Sequence, residues 1–272
     1  MTIDEFRRVI ISHFESEGRM FPWRETEDPW AIMVSEFMLQ QTQTERVIPY
    51  WKRWLRKWPS PKALASASLE EVLREWSGLG YNRRARFLRE AAVRIVSDYD
   101  GKIPRSPDEL LTLPGIGPYT SRAIACFAYN HPSVFIETNI RSVLIHFFFH
   151  DRNDVRDDEL VPILEECIVR EYSESGSPRM WYWALMDYGA ALKKISPNPN
   201  RRSAHYTRQS SFEGSFRQIR GAVVRTLSRI GSGTFDTLQK ETGFETEGLY
   251  KAVAALKKES MVAEENGIYR IP

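Results

Sequence analysis

Apolar residues recur at three- and four-residue spacing through most of the first 190 positions. The pattern runs through "IDEFRRVIISHF", "PWAIMVSEFMLQQTQTERVIPYWKRWL", "LEEVLREWSGLG" and "RRARFLREAAVRIVSDY", and it predicts successive amphipathic helices. Pro49 marks a kink inside the second of these. Strand-like alternation is scarce. The stretches "FPWRETEDP", "WPSPKAL", "GKIPRSP" and "SESGSPR" interrupt the periodicity and read as breakers. Residues 1–192 are therefore expected to form one almost wholly helical domain.

The periodicity lapses at "KKISPNPNRRSAHYTRQSSFEG", residues 193–214, which reads as a connector. It returns in a small terminal unit, residues 215–272. There "FRQIRGAVVRTLSRI", "TFDTLQKET" and "ETEGLYKAVAALKKESM" predict three helices. "VAEENGIYRI" predicts a hairpin turning on Asn266-Gly267. Three helices and a hairpin is the order of a winged helix, a fold that serves both DNA binding and protein docking. The expected class is all-α, followed by this small winged-helix-like unit.

Charge changes the picture locally rather than globally. The formal net charge is only +2, yet residues 191–230 hold nine Lys or Arg against one acid, Glu213. Such a run is either a solvated face or a phosphate-binding surface, and its density favours phosphate. Segment 236–272 has seven acids against five bases, which argues against strong phosphate binding there. With 42% hydrophobic and 12% aromatic residues, including eight Trp, the chain has the means to build a core. Two cysteines, Cys126 and Cys167, exclude a disulfide framework and a four-thiolate metal site, so no metal or cofactor is expected. The N-terminal segment is amphipathic rather than signal-like, and no apolar run suits a membrane span. A soluble monomer is the expectation, cytoplasmic (bacterial or archaeal, nucleoid-associated) or otherwise intracellular.

Two glycine motifs carry chemistry. "WSGLGYNRRARFL" (76–88) and "LPGIGPYTSRAIACFA" (113–128) each place Gly-apolar-Gly before a helix. Glycines allow a tight turn, and the free amides at a helix start bind phosphate without a charged side chain. The second motif is the more specific, because Pro, spaced glycines and helix entry coincide.

These motifs, with "FPWRETEDPWAIMVSEFMLQQTQTERVIPY", "ETNIRSVL" and "WALMDYGA", make residues 5–195 resemble the helix–hairpin–helix (HhH-GPD) DNA glycosylases of the endonuclease III superfamily. The paired Gln of "SEFMLQQTQ" is most similar to the adenine glycosylase (MutY-type) branch. The resemblance implies a base-excision enzyme acting on duplex DNA that contains a mispaired or damaged base. It places Glu36 as the general acid, Gln41 as a wedge into the duplex, Tyr81 as an intercalating aromatic, and Trp23, Arg24 and Trp30 along the base pocket. It also implies that Gly115 and Gly117 bind the DNA backbone and that Asn139 supports the active site. Tyr119 occupies the slot where strand-cleaving relatives carry a lysine nucleophile, which implies a monofunctional glycosylase.

Breaking an N-glycosidic bond needs an acid that holds its proton and a carboxylate that stabilises a cationic sugar. Glu36 has apolar sequence neighbours suited to the first task. Glu137 stands where the branch has Asp, and its extra methylene extends the carboxylate by about 1.5 Å, a large step against near-attack geometry. The four cysteines that hold an iron–sulfur cluster in the branch are missing after "MDYGA", where the basic connector stands instead. Arg201, Arg202 and Arg208 are expected to take over its DNA contact. A winged-helix-like unit replaces the branch's Nudix-like domain. Adenine in a mispair is the favoured target. The alternatives are a pyrimidine (uracil or thymine) mismatch or another damaged base, or a non-catalytic protein that binds distorted DNA.

Overall fold

The computed structural model describes residues 1–173, 176–195, 197–207 and 211–272. Its helices in chain order are α1 (Ile3–Glu17), α2 (Pro29–Leu39), α3 (Thr44–Lys57), α4 (Pro61–Ala65), α5 (Leu69–Trp76), α6 (Arg83–Asp98) and α7 (Pro107–Leu111). There follow α8 (Pro118–Tyr129), α9 (Thr138–Phe148), α10 (Asp157–Ser173), α11 (Pro178–Ile195), α12 (Phe216–Ile230), α13 (Phe235–Thr242) and α14 (Thr246–Lys258). Short 3-10 turns occupy Pro22–Arg24 and Pro199–Arg202. The described strands are β1 (Ser232–Thr234), β2 (Ala263–Glu265) and β3 (Ile268–Arg270).

Local sequence explains most of the helix ends. Thr2 starts α1 with a capping box, its hydroxyl taking the Glu5 amide at 3.2 Å while the Glu5 carboxylate takes the Thr2 amide at 2.8 Å. Ser68 and Ser215 cap α5 and α12 in the same way through one hydroxyl each. Gly117 and Pro118 open α8, where proline's fixed φ suits the first turn. The long periodic segment 29–55 divides where periodicity alone does not show it. Helix α2 stops at Leu39, Gln41 adopts a left-handed φ of 56°, and α3 begins at Thr44 with Pro49 inside it.

The chain packs as two compact units, each assembled from segments distant in sequence. The first comprises Met1–Met33, Arg105–Thr112 and Ile116–Arg208. Its core gathers Phe6, Ile10, Ile32, Cys126, Leu144, Leu164, Trp181 and Tyr182 from α1, α2, α8, α9, α10 and α11. The segment entering α9 is pinned here: Phe135 stacks on Tyr182 at 3.8 Å, and its amide donates to the Tyr182 hydroxyl at 3.0 Å. That hydroxyl in turn donates to the Ser133 carbonyl at 2.9 Å.

The second unit comprises Val34–Pro104, Leu113–Gly115 and Gln209–Pro272. Trp54 and Trp76 meet edge to face at 5.3 Å within it. The terminal helices α12, α13 and α14 bury Leu227, Leu238, Leu249, Val253 and Leu256, and α12 also packs on α5. The hairpin β2–β3 turns on Asn266 and Gly267, both with positive φ (52° and 77°), as a two-residue turn requires. Strand β1 was not legible in the sequence; it joins the far side of β3 and gives the antiparallel order β1-β3-β2. Three residues of "SGT" carry too little pattern to announce a strand.

Candidate active site and DNA interface

In the second unit, the residues expected to enter the duplex share an unusual backbone. Gln41 (φ 56°) and Tyr81 (φ 49°) are left-handed, as are five other non-glycine residues among those described, all Asp, Asn or Ser. Those short polar side chains tolerate that region, whereas a glutamine and a tyrosine are held there at a cost. The holding group is Arg84. Its guanidinium is buried and donates to the carbonyls of Phe37 (2.9 Å), Met38 (2.8 Å) and Gln40 (2.6 Å) at the end of α2. It also donates to the Thr42 hydroxyl and the Gly80 carbonyl, both at 3.0 Å. One side chain thus bridges the loop bearing Gln41 and the turn bearing Tyr81. Burial draws the Arg84 guanidinium down to about 10, which leaves it charged at neutral pH, where it compensates the carbonyl end of a helix. The motif "GLGYNRRAR" contains this residue, but nothing in its spacing distinguishes Arg84 from Arg83 or Arg86.

Glu36 lies on α2, 7% exposed, in a sequence stretch whose neighbours Met33, Val34, Phe37 and Met38 are fully buried. Gly115 (φ 76°) makes a close contact: a Cβ there would lie 2.5 Å from the Phe87 Cβ and 3.0 Å from the Phe37 ring. Any side chain would push that turn away from the helices beneath it. Gly117, in the first unit, meets nothing within 4 Å, and its side of the α8 N-terminus is open. The two glycines of one motif therefore differ: one is needed for packing and the other leaves space.

Glu137 is the N-cap of α9. Its Oε1 accepts from the Asn139 amide at 2.7 Å and the Ile140 amide at 2.9 Å, and its Oε2 accepts from the Asn139 side-chain amide at 3.2 Å. Burial raises the carboxyl above the ordinary glutamate range, opposed by those two backbone amides and by Lys193 and Arg141. Lys193 donates to the Asn139 Oδ1 at 2.6 Å. The amide of Asn139 is thereby fixed with its NH₂ toward Glu137, giving a chain Lys193–Asn139–Glu137. Arg141 is held in turn by Asp157 at 2.6 and 2.8 Å. Gly189 belongs to the same arrangement, because a Cβ there would lie 2.5 Å from the Asn139 carbonyl oxygen. Lys193 follows "MDYGA" at the start of the basic run, and its sequence context offers no sign of this contact.

Several expected residues occupy settled places in the first unit. Arg24 pairs with buried Asp187 through two contacts, 2.8 and 2.9 Å, and Arg19 adds its backbone amide and its Nε, both at 2.8 Å, and its Nη2 at 2.7 Å. Burial pushes the Asp187 carboxyl up, but Arg24 and Arg19 together hold it below the ordinary aspartate range. Trp23 is buried and stacks on Phe21 at 5.2 Å, and Trp30 is buried at 2% exposure. Tyr119 meets Phe135 edge to face at 5.6 Å and lines a cleft of about 460 Å³ with Arg122, Ile136, Asp157 and Glu165.

The connector is tied to its own unit. Val155 and Ser203 form a parallel bridge, and Pro199, Asn200 and Ser203 are buried. Arg202 donates to the carbonyls of Phe149 (2.8 Å) and His150 at the end of α9, a C-terminal capping role. Arg201 is exposed, and Arg208 lies outside the described residues. The residues present do not fit an iron–sulfur cluster. Cys126 and Cys167 are buried in the core, burial pushes the Cys167 thiol up to about 12, and no metal-binding group of His, Cys, Asp or Glu occurs among the described residues. Nor is any described helix long and apolar enough to cross a membrane.

Residues 34–165 match the HhH-GPD superfamily base excision DNA repair protein model. The chain belongs to this superfamily and, within it, to the adenine DNA glycosylase family. It is 51% identical over 237 residues to an adenine DNA glycosylase of Mycolicibacterium smegmatis, covering 80% of this chain and 78% of that one. An adenine DNA glycosylase of Mycobacterium tuberculosis is 47% identical over 241 residues, covering 80% and 77%. Among solved structures, a thermostable thymine-DNA glycosylase superposes with a TM-score of 0.61 at 25% identity, covering 73% of this chain and 91% of that one. An endonuclease III–DNA complex shares the fold at a TM-score of 0.55 and 20% identity, covering 70% and 85%.

Proposed function

We propose that this protein is an intracellular adenine DNA glycosylase of base-excision repair, acting as a monomer on adenine in a mispair. The observation that carries this reading is the kinship with adenine DNA glycosylases over four-fifths of the chain, joined to the amide-held Glu137 that the chemistry needs. In this reading Glu36 protonates the leaving adenine, a role its burial suits. Glu137 stabilises the positive charge that develops on the sugar, and water completes the hydrolysis at C1′, yielding free adenine and an abasic site. Asn139 and Lys193 orient Glu137. Gln41 and Tyr81 enter the duplex where the base leaves the stack, at a cost of a few kcal/mol that their contacts offset. Gly115 shapes the second glycine turn, and the open amides beside Gly117 receive a backbone phosphate. Arg201 and Arg208 contact phosphate, whereas Arg202 supports the connector. Trp23, Arg24 and Trp30 act by building the wall behind the base rather than by touching it.

Tyr119 supports hydrolysis without strand cleavage, because a phenol cannot form the Schiff base that a lysine forms. The terminal unit is winged-helix-like in its element order. Duplexes carrying single A·G, A·8-oxoguanine, G·T, G·U and abasic sites, treated with and without hot alkali, test the whole reading. Adenine-containing mispairs are expected to give alkali-dependent breaks. Breaks only at G·U or G·T would replace adenine by a pyrimidine, and breaks without alkali would overturn the monofunctional assignment.

A further inference from the structure

The terminal unit is built onto the first glycine turn rather than hung beside it. Arg217, in the first turn of α12, donates to the Tyr81 hydroxyl at 2.5 Å, and its guanidinium lies 5.7 Å from the centre of the Tyr81 ring. Arg84 lies 5.5 Å from the centre of the same ring. One guanidinium comes from the helix that follows the turn and the other from a residue 136 positions beyond Tyr81. A second tie fixes the same junction. Glu259, at the end of α14, pairs with Arg220 of α12 at 2.6 Å and with Arg83 of α6 at 3.5 Å. Tyr81 remains 36% exposed and left-handed, so its ring is presented to solvent in a conformation that needs outside support.

We infer that Arg217 is a positioning residue for Tyr81, through which the terminal unit governs extrusion of the base. Hydrogen bonding to the phenol and the cation beside the ring together restrict a side chain that must enter the duplex in one orientation. An unrestrained tyrosine would lose that orientation on binding, and the loss would fall on the step that opens the stack rather than on encounter with DNA. On this reading the terminal unit contributes to base extrusion through Tyr81, apart from any phosphate its own cations meet. The inference rests on the wedge role given to Tyr81 above.

The test uses full-length protein and a duplex with 2-aminopurine next to an A·G mispair, whose fluorescence reports unstacking whether or not adenine is released. Arg217→Ala is expected to lower the fluorescence gain and kcat by about five- to tenfold, the scale of one lost hydrogen bond, while DNA Kd changes by less than about twofold. Tyr81→Phe keeps the ring and removes only the hydroxyl, and it should reproduce part of the loss. The double variant should lose less than the product of the two, and Arg217→Lys should recover part of the activity. Unchanged unstacking in Arg217→Ala, or single effects that simply multiply, would overturn the inference while leaving the glycosylase reading intact. Wild-type protein that unstacks the duplex without releasing adenine would overturn the glycosylase reading and leave this one standing.

Discussion

Glu137 and Asp187 are two acids of the same unit, the first half-buried and the second buried, yet the fold treats them in opposite ways. Asp187 is gripped by two guanidiniums, and its carboxyl titrates below the ordinary aspartate range despite its burial. Glu137 is gripped by two backbone amides and one side-chain amide, with its cations further off, and its carboxyl titrates above the ordinary range. A guanidinium pair locks a charge, and amide dipoles orient one while leaving it able to respond. The difference separates an acid that holds the unit together from one that, in the proposed reaction, meets a developing positive charge.

Four experiments press on that contrast. Asp187→Asn should be the most damaging to the fold, because Arg24 is buried with it. We expect a loss of about 3–5 kcal/mol in denaturant unfolding. Glu137→Gln keeps an oxygen for the two amides, so stability should hold while single-turnover adenine release falls by about 10²–10³; near-normal turnover would move the sugar-stabilising role elsewhere. Gly189→Ala forces a methyl against the Asn139 backbone and should cost about 1–3 kcal/mol, with turnover falling alongside as Asn139 shifts. The smallest effect is expected from Lys193→Met. Among the charges facing Glu137, Lys193 and Arg141 both favour the ionised form, and Arg141 is already engaged by Asp157. Removing Lys193 should move the acidic limb of the kcat–pH profile upward and lower neutral-pH turnover by a few-fold.

The same contrast gives opposite pH dependences of stability. Asp187 contributes fully above its unfolded value of about 3.9, and the contribution is lost as pH falls through its depressed native value. The folded state holds the Glu137 proton to a higher pH than the unfolded chain does. Its ionisation therefore costs stability as pH rises from about 4.3 through the raised native value. Urea unfolding across this range should show Glu137→Gln gaining on wild type toward neutral pH and Asp187→Asn losing its deficit toward acid.

Much of this was legible along the chain, because helix period, caps and glycine turns act over a few residues. The successive helices, the Asn266-Gly267 hairpin and the two glycine motifs all arise from interactions within a turn or two. The division of the 29–55 segment at Gln41 was not legible. It depends on Arg84, which lies more than 40 positions away and donates to backbone carbonyls that no charge pattern would reveal. Lys193 was hidden for a related reason. It stands in a run of like charges, where spacing cannot show that one ammonium turns to Asn139. Arg202 was hidden in that run as well, and its Nη1 reaches the carbonyl end of α9.

The sequence by itself determined the family and the helical class, since these rest on residue type and local period. Only tertiary structure decided what each charge is for. A carboxylate becomes a lock or a responsive group according to whether guanidiniums or amides surround it, and those partners arrive from helices far apart in the chain. The same holds for Tyr81. Its motif identifies the turn, but one of the two guanidiniums beside its ring, that of Arg217, comes from α12, which packs on α5.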